Sequence, residues 1–160
     1  MRPLITLLSE SDTKAFARRL AGSLYGQQAI GLCGDLGAGK TTLVRYLVDA
    51  LGGSSAEVCS PTFTLQQEYR LPSGMIVEHW DLYRLSTTPP ELLEPPTVNV
   101  LRIVEWPDRV PGFDQSLTLL ISISVRVDGA REVALSAPDE RANQALLESG
   151  AIGDSFWGAL

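Results

Sequence analysis

Ala29-Ile30-Gly31-Leu32-Cys33 runs directly into Gly34-Asp35-Leu36-Gly37-Ala38-Gly39-Lys40-Thr41-Thr42-Leu43, and this stretch decides the fold. Its first five residues form a short apolar run that ends on a glycine, the pattern of a buried strand. Residues 34–41 then satisfy G-x-x-x-x-G-K-[ST]. Leu43, Leu47 and Leu51 share one helical face, and Gly52-Gly53 supplies the stop. Strand, glycine loop and helix in that order make a polyphosphate cradle. The glycines let successive backbone N–H groups turn inward, and the helix adds its positive N-terminal end. Lys40 is then placed to reach the β and γ phosphates, with Thr41 facing a Mg2+ ion. The predicted class is α/β, a P-loop NTPase sheet.

Outward from the loop, the remaining elements follow from spacing. Ser9 with Asp12 three residues later is a capping box, and Phe16, Leu20 and Leu24 recur every four residues, which predicts a helix over 11–25. β-branched and aromatic residues recur from Val58 to Leu71 and from Met75 to Leu85, with Pro72-Ser73-Gly74 between them, so an antiparallel hairpin is predicted. Pro89, Pro90, Pro95 and Pro96 allow at most one helical turn around Glu91–Glu94, and the segment reads as a loop or a partner-facing surface. Val100–Trp106 is a further strand. Leu117–Val127 and Arg131–Leu135, joined at Asp128-Gly129, form a second hairpin, and residues 138–149 a final helix. With no internal repeat or linker, 1–160 reads as one domain.

Composition excludes whole classes of function. Thirteen Lys and Arg against 19 Asp and Glu give a net charge of −6, the wrong sign for a chain that neutralises nucleic-acid phosphates with its own surface. The N-terminus lacks the pattern of a signal peptide, and the longest apolar run, Leu117–Val125, is too short for a bilayer. The two cysteines, Cys33 and Cys59, read as reduced buried thiols in a cytoplasmic setting. His79 is the only histidine and no G-x-S-x-G elbow exists, which removes serine triads and multi-ligand zinc sites.

The chain has two lysines, Lys14 and Lys40, and neither lies in an N/T-K-x-D segment that reads guanine, so ATP is predicted. A P-loop site also needs an acid near the metal, commonly at the end of an apolar strand. Glu105 ends Val100-Leu101-Arg102-Ile103-Val104-Glu105, and Asp81 ends Met75-Ile76-Val77-Glu78-His79-Trp80-Asp81. Spacing does not rank the two.

Four segments together resemble the bacterial TsaE (formerly YjeE) family: Gly34–Leu43, Ser60-Pro61-Thr62-Phe63-Thr64-Leu65, His79-Trp80-Asp81-Leu82-Tyr83-Arg84-Leu85 and Ile103-Val104-Glu105-Trp106-Pro107-Asp108-Arg109. The resemblance implies a sheet with a parallel centre flanked by antiparallel strands. It implies an ATPase required for threonylcarbamoyladenosine formation beside the anticodon, in tRNAs reading codons that begin with A. TsaD and TsaB are the implied partners, and tRNA is met only through their complex. Carried to this chain, Asp35, Gly37, Ala38, Gly39, Lys40, Thr41 and Thr42 would cradle ATP or ADP. Thr41 and Glu105 would hold Mg2+, and Thr62 would sense the γ-phosphate. Asp81 would be the second functional acid, which makes Lys40, Asp81 and Glu105 the catalytic set, and Trp106 would lie beside the nucleotide. Plain core packing is the alternative for Trp80 and Trp106. A satisfied, partly buried ring is the reading for His79, and a solvated surface position is open for Arg84. The prolines between Leu85 and Val100 depart from the family's acidic helix-forming stretch, and the apolar Phe156–Leu160 tail is unexplained. Two other classes use the same loop: a small-molecule phosphotransferase, which needs a mobile lid, and an ATP-gated interaction module.

Overall fold

The structure, a computed structural model, describes residues 4–138. The predicted final helix and the apolar tail lie outside them. Seven strands form one sheet: β1 (Leu4–Leu7), β2 (Ala29–Cys33), β3 (Gln66–Arg70), β4 (Ile76–Asp81), β5 (Val100–Glu105), β6 (Leu119–Val125) and β7 (Arg131–Ser136). The order across the sheet is β1-β7-β6-β2-β5-β4-β3. The four central strands, β6, β2, β5 and β4, run parallel, and β7, β1 and β3 add antiparallel edges. The predicted architecture and both predicted hairpins are present.

Two helices, α1 (Glu10–Ala21) and α2 (Lys40–Ala50), cover one face. Phe16 and Leu20 of α1 and Leu43, Val44 and Leu47 of α2 pack on Ile30, Leu32, Leu101, Ile103 and Ile121, all essentially fully buried. Burial of apolar area on this scale is the main force holding helices to sheet. Trp80, Val104, Leu92, Phe113 and Leu117 form a second core on the opposite face. Trp80 is therefore a packing residue. Among the described residues, no helix is long and apolar enough to cross a membrane.

Several expectations are corrected. Helix α1 stops at Ala21 rather than residue 25, because Gly22 turns the chain and its N–H returns to Arg19. The first hairpin strand begins at Gln66, not Val58; Ser55–Glu57 forms a single 3-10 turn and the following residues a loop. Pro61 is buried within that loop and lacks the N–H a strand ladder needs. Strand β1 was not anticipated. Cys59 lies exposed on the loop before β3, and Cys33, at the end of β2, is half-buried, so neither is the enclosed thiol expected.

The proline-rich segment lies on the second core. Its turn, Pro90–Leu92, buries Leu92, while Arg102 in β5 pairs with Glu78 at 2.8 Å and donates to the carbonyls of Glu94 at 2.7 Å and Glu91 at 3.5 Å. Most of its other side chains, Glu91, Leu93, Glu94 and Pro95 among them, are exposed.

Candidate functional site

The parallel centre delivers β2, β4 and β5 to one edge with their C-terminal ends side by side, the place where open α/β sheets bind ligands. The glycine loop leaves β2 there. Gly34 has φ +150°, and a methyl group on it would lie 2.4 Å from the Ile123 carbonyl oxygen, so only glycine lets the loop pass β6. At the far end, Gly39 has φ +108° and begins α2.

The two helices start differently. At α1, Ser9 and Asp12 cap each other's backbone N–H groups. At α2, Gly39 brings no side-chain cap and the first turn holds no acid, so the positive helix end faces the loop's concavity. Lys40, 5% exposed, donates from Nζ to the carbonyls of Gly34 at 2.6 Å and Asp35 at 2.9 Å, with Nζ 3.9 Å from the Trp106 ring centroid. Burial lowers its pKa, against the pull of Glu105, Asp81, Asp108 and Asp35. Ala38 is buried and donates its N–H to the Asp35 carbonyl, while the Asp35 side chain is exposed.

Strands β4 and β5 pair in register, with Asp81 opposite Glu105. Alternation along β4 puts His79 and Asp81 on the helix-covered face and Trp80 on the other. Glu105, 2% exposed, accepts from the Thr41 hydroxyl at 2.8 Å and lies 2.7 Å from His79 Nε2. Asp81, 3% exposed, accepts from the Thr62 hydroxyl at 2.8 Å, the Ser60 hydroxyl at 3.5 Å and the Tyr83 N–H at 2.8 Å. The two acids, equivalent by spacing, thus have different attachments. Glu105 is tied to the start of α2, and Asp81 to the loop before β3.

Trp106 follows Glu105 in the left-handed region, at φ 59°, a strain that persists only where surroundings hold it. Its backbone N–H donates to the Leu32 carbonyl, Tyr83 packs tilted against it at 4.9 Å between ring centroids, and the Arg109 guanidinium lies 5.4 Å from its ring centroid. Together these groups line a cleft of about 360 Å3 that Gly37, Gly39, Lys40, Thr41, Thr42, Ser60, Thr62, Asp81, Glu105 and Trp106 share. Every cradle residue expected from the sequence lines it except Asp35 and Ala38. Arg84 is exposed over the Phe63 ring, 4.5 Å away, at the loop.

Arg131, which sequence reasoning missed, belongs to the site. From β7 it donates to the Ala38 carbonyl at 3.4 Å and lines both this cleft and a second cavity of about 190 Å3 between Leu7, Glu10, Thr13, Ala38, Thr42 and Val133. Nothing local marks it, since the contact joins residues 93 apart. His79 was also underestimated: it is wholly buried and touches Glu105. Its signal was alternation, two residues before Asp81 on the same strand face.

The donor set suits Mg2+. A hydroxyl and carboxylates supply hard oxygen ligands, and among the described residues no group of three or more His, Cys, Asp or Glu converges as an all-protein cage. Such a site completes a Mg2+ shell with phosphates and water.

The profile of the family described as threonylcarbamoyl adenosine biosynthesis protein TsaE matches residues 7–133, most of the chain. The chain belongs to the TsaE family. A protein from Rickettsia bellii named tRNA threonylcarbamoyladenosine biosynthesis protein TsaE is 38% identical over 129 residues, which is 78% of this chain and 88% of that protein. The Rickettsia conorii protein of the same name is 44% identical over 89 residues; this match spans 56% of the present chain and half the length of that relative. Among solved structures, YdiB of Bacillus subtilis superposes with a TM-score of 0.64 at 26% identity, covering 93% of this chain and 95% of that one. The region matched to the TsaE family contains the glycine loop and both acid-bearing strands.

Proposed function

We propose that this TsaE-family chain binds and hydrolyses ATP with Mg2+ and serves threonylcarbamoyladenosine formation in tRNA together with TsaD and TsaB. The observation that carries it is the Thr41–Glu105 hydrogen bond at the uncapped start of α2, with Asp81 on the adjacent strand. The N–H groups of the glycine loop and Lys40 hold the phosphates, Lys40 exchanging its carbonyl acceptors for phosphate oxygens. Thr41 and Glu105 hold Mg2+, which when bound neutralises charge on the phosphate oxygens. Asp81 orients and accepts a proton from an attacking water, and Thr62 links that acid to the loop bearing the exposed Phe63. The nucleoside extends into the Leu7–Thr13 cavity past Thr42, with Arg131 between the two cavities. ATP is preferred over GTP.

A net charge of −6 leaves tRNA binding to the partner proteins. A phosphotransferase would need a mobile lid. Segment 89–96 is a poor one, because Arg102 holds its carbonyls.

Steady-state ATP hydrolysis titrated with Mg2+, with TsaD and TsaB present, tests the assignment of the acids. Glu105→Gln is expected to raise the Mg2+ requirement, and Asp81→Asn to lower turnover by about 100-fold or more while nucleotide binding survives. Full turnover in Asp81→Asn would make that acid a structural strand end.

A further inference from the structure

A line of polar side chains crosses three strands beneath the proposed metal site. The Tyr69 hydroxyl on β3 lies 3.0 Å from His79 Nδ1 on β4, and His79 Nε2 lies 2.7 Å from Glu105 Oε1 on β5. His79 is 0% exposed and Tyr69 3%. An ionised carboxylate only accepts, so the hydrogen between His79 and Glu105 sits on Nε2. With that hydrogen on Nε2, Nδ1 of the neutral ring accepts from the Tyr69 hydroxyl, which burial foremost keeps protonated by pushing the phenol up to about 12 and which also lies 2.9 Å from Gln67 Oε1.

Glu105 Oε1 therefore receives two donors of different kinds. Thr41 is a short side chain on the first turn of α2, and its hydroxyl is itself a proposed metal ligand. If that hydroxyl gives an oxygen lone pair to a cation, its O–H remains able to donate to Glu105, so Thr41 follows the cation while still touching Oε1. His79 lines neither cavity and keeps its bond to Oε1.

We propose that His79 is a positioning residue for Glu105: its Nε2–H, braced by Tyr69, fixes the carboxylate so that the second oxygen is presented to Mg2+. This rests on the reading of Glu105 as the acid at the metal. Partners one bond behind a metal ligand commonly set affinity through ligand orientation, and their loss costs about 10–100-fold in metal binding.

The test is the Mg2+ concentration at which ATP binding reaches its midpoint, followed by calorimetry, with Mn2+ electron paramagnetic resonance as an independent report on the ion's ligands. In His79→Gln the amide nitrogen takes the place of Nε2, whereas in His79→Asn it falls short of Glu105. The expected result is a midpoint raised about 10-fold or more in His79→Asn, near-parent behaviour in His79→Gln, and unchanged Mg2+-free nucleotide binding in both. Tyr69→Phe, which keeps the aromatic packing, is expected to move the midpoint the same way by a smaller factor. Melting without Mg2+ establishes that each variant is folded. An unchanged midpoint in folded His79→Asn or in Tyr69→Phe, or equal losses in the Asn and Gln variants, overturns the proposal. Glu105→Gln measured alongside separates the readings. If it too leaves the midpoint where it was, the metal assignment itself has failed. If it alone moves the midpoint, only the role of His79 has.

Discussion

Cys33 and Cys59 differ in reactivity for reasons visible one residue at a time. The Cys33 thiol donates to Asp108 Oδ1 at 3.5 Å, and its pKa is pushed up to about 12 by burial first and then by that carboxylate, with Lys40 pulling weakly the other way. At about pH 8 roughly one Cys33 in 10,000 is therefore a thiolate. Iodoacetamide with peptide mapping by mass spectrometry is expected to label Cys59 first, with the Cys33 rate climbing about tenfold per pH unit toward 12. Equal rates at both positions would show that Cys33 is not covered and paired with Asp108 as described. This difference was illegible in the sequence, because exposure of a thiol depends on what the fold lays over it. The chemistry of Lys40, Thr41, Glu105 and Asp81 was legible, since each residue type sits at a motif position or a strand end. Which partner each acid takes was not: Thr41 for Glu105 and Thr62 for Asp81 are pairings across 64 and 19 residues. Arg131 escaped for the same reason.

At the scale of elements, helix starts and glycine loops carry the function. The capping box that opens α1 was readable from Ser9 and Asp12, three residues apart, whereas the lack of a side-chain cap at Gly39, the start of α2, is visible only in the fold. Strand β1 was not readable, because four residues at the sheet edge, paired only with β7, give too short a pattern. The start of β3 was misplaced by the β-branched and aromatic residues of the preceding loop. Within the glycine loop the demands on each position differ. Gly34→Ala places a methyl group against the Ile123 carbonyl, backbone that cannot yield, and is expected to cost at least about 3 kcal/mol. Gly37→Ala has φ +78° but meets no described atom within 4 Å, so backbone strain alone applies, about 1–2 kcal/mol. Urea denaturation of the two variants checks the order. A Gly34→Ala protein as stable as the parent would mean that the loop does not pack against β6 as described.

Across the whole molecule, one sheet edge gathers residues from five parts of the chain: the glycine loop with the start of α2, the Ser60–Thr62 loop, the ends of β4 and β5, and Arg131 on β7. Parallel pairing of β4, β2 and β5 makes this convergence possible; the strand–loop–helix unit pointed to an α/β P-loop fold, and the parallel centre was implied by the family resemblance. The order of strands did not, since it rests on contacts far apart in sequence. This edge is proposed to act as an ATP site in threonylcarbamoyladenosine formation. The most direct measurement is formation of that nucleoside on tRNA in a reaction reconstituted with TsaD and TsaB, run in parallel with the parent chain and Lys40→Ala. ATP-dependent modification is expected with the parent, and a loss of about 100-fold or more with Lys40→Ala, whose fold stays intact by melting. Equal modification with the two proteins would show that the glycine-loop edge is not the ATP site this reaction uses.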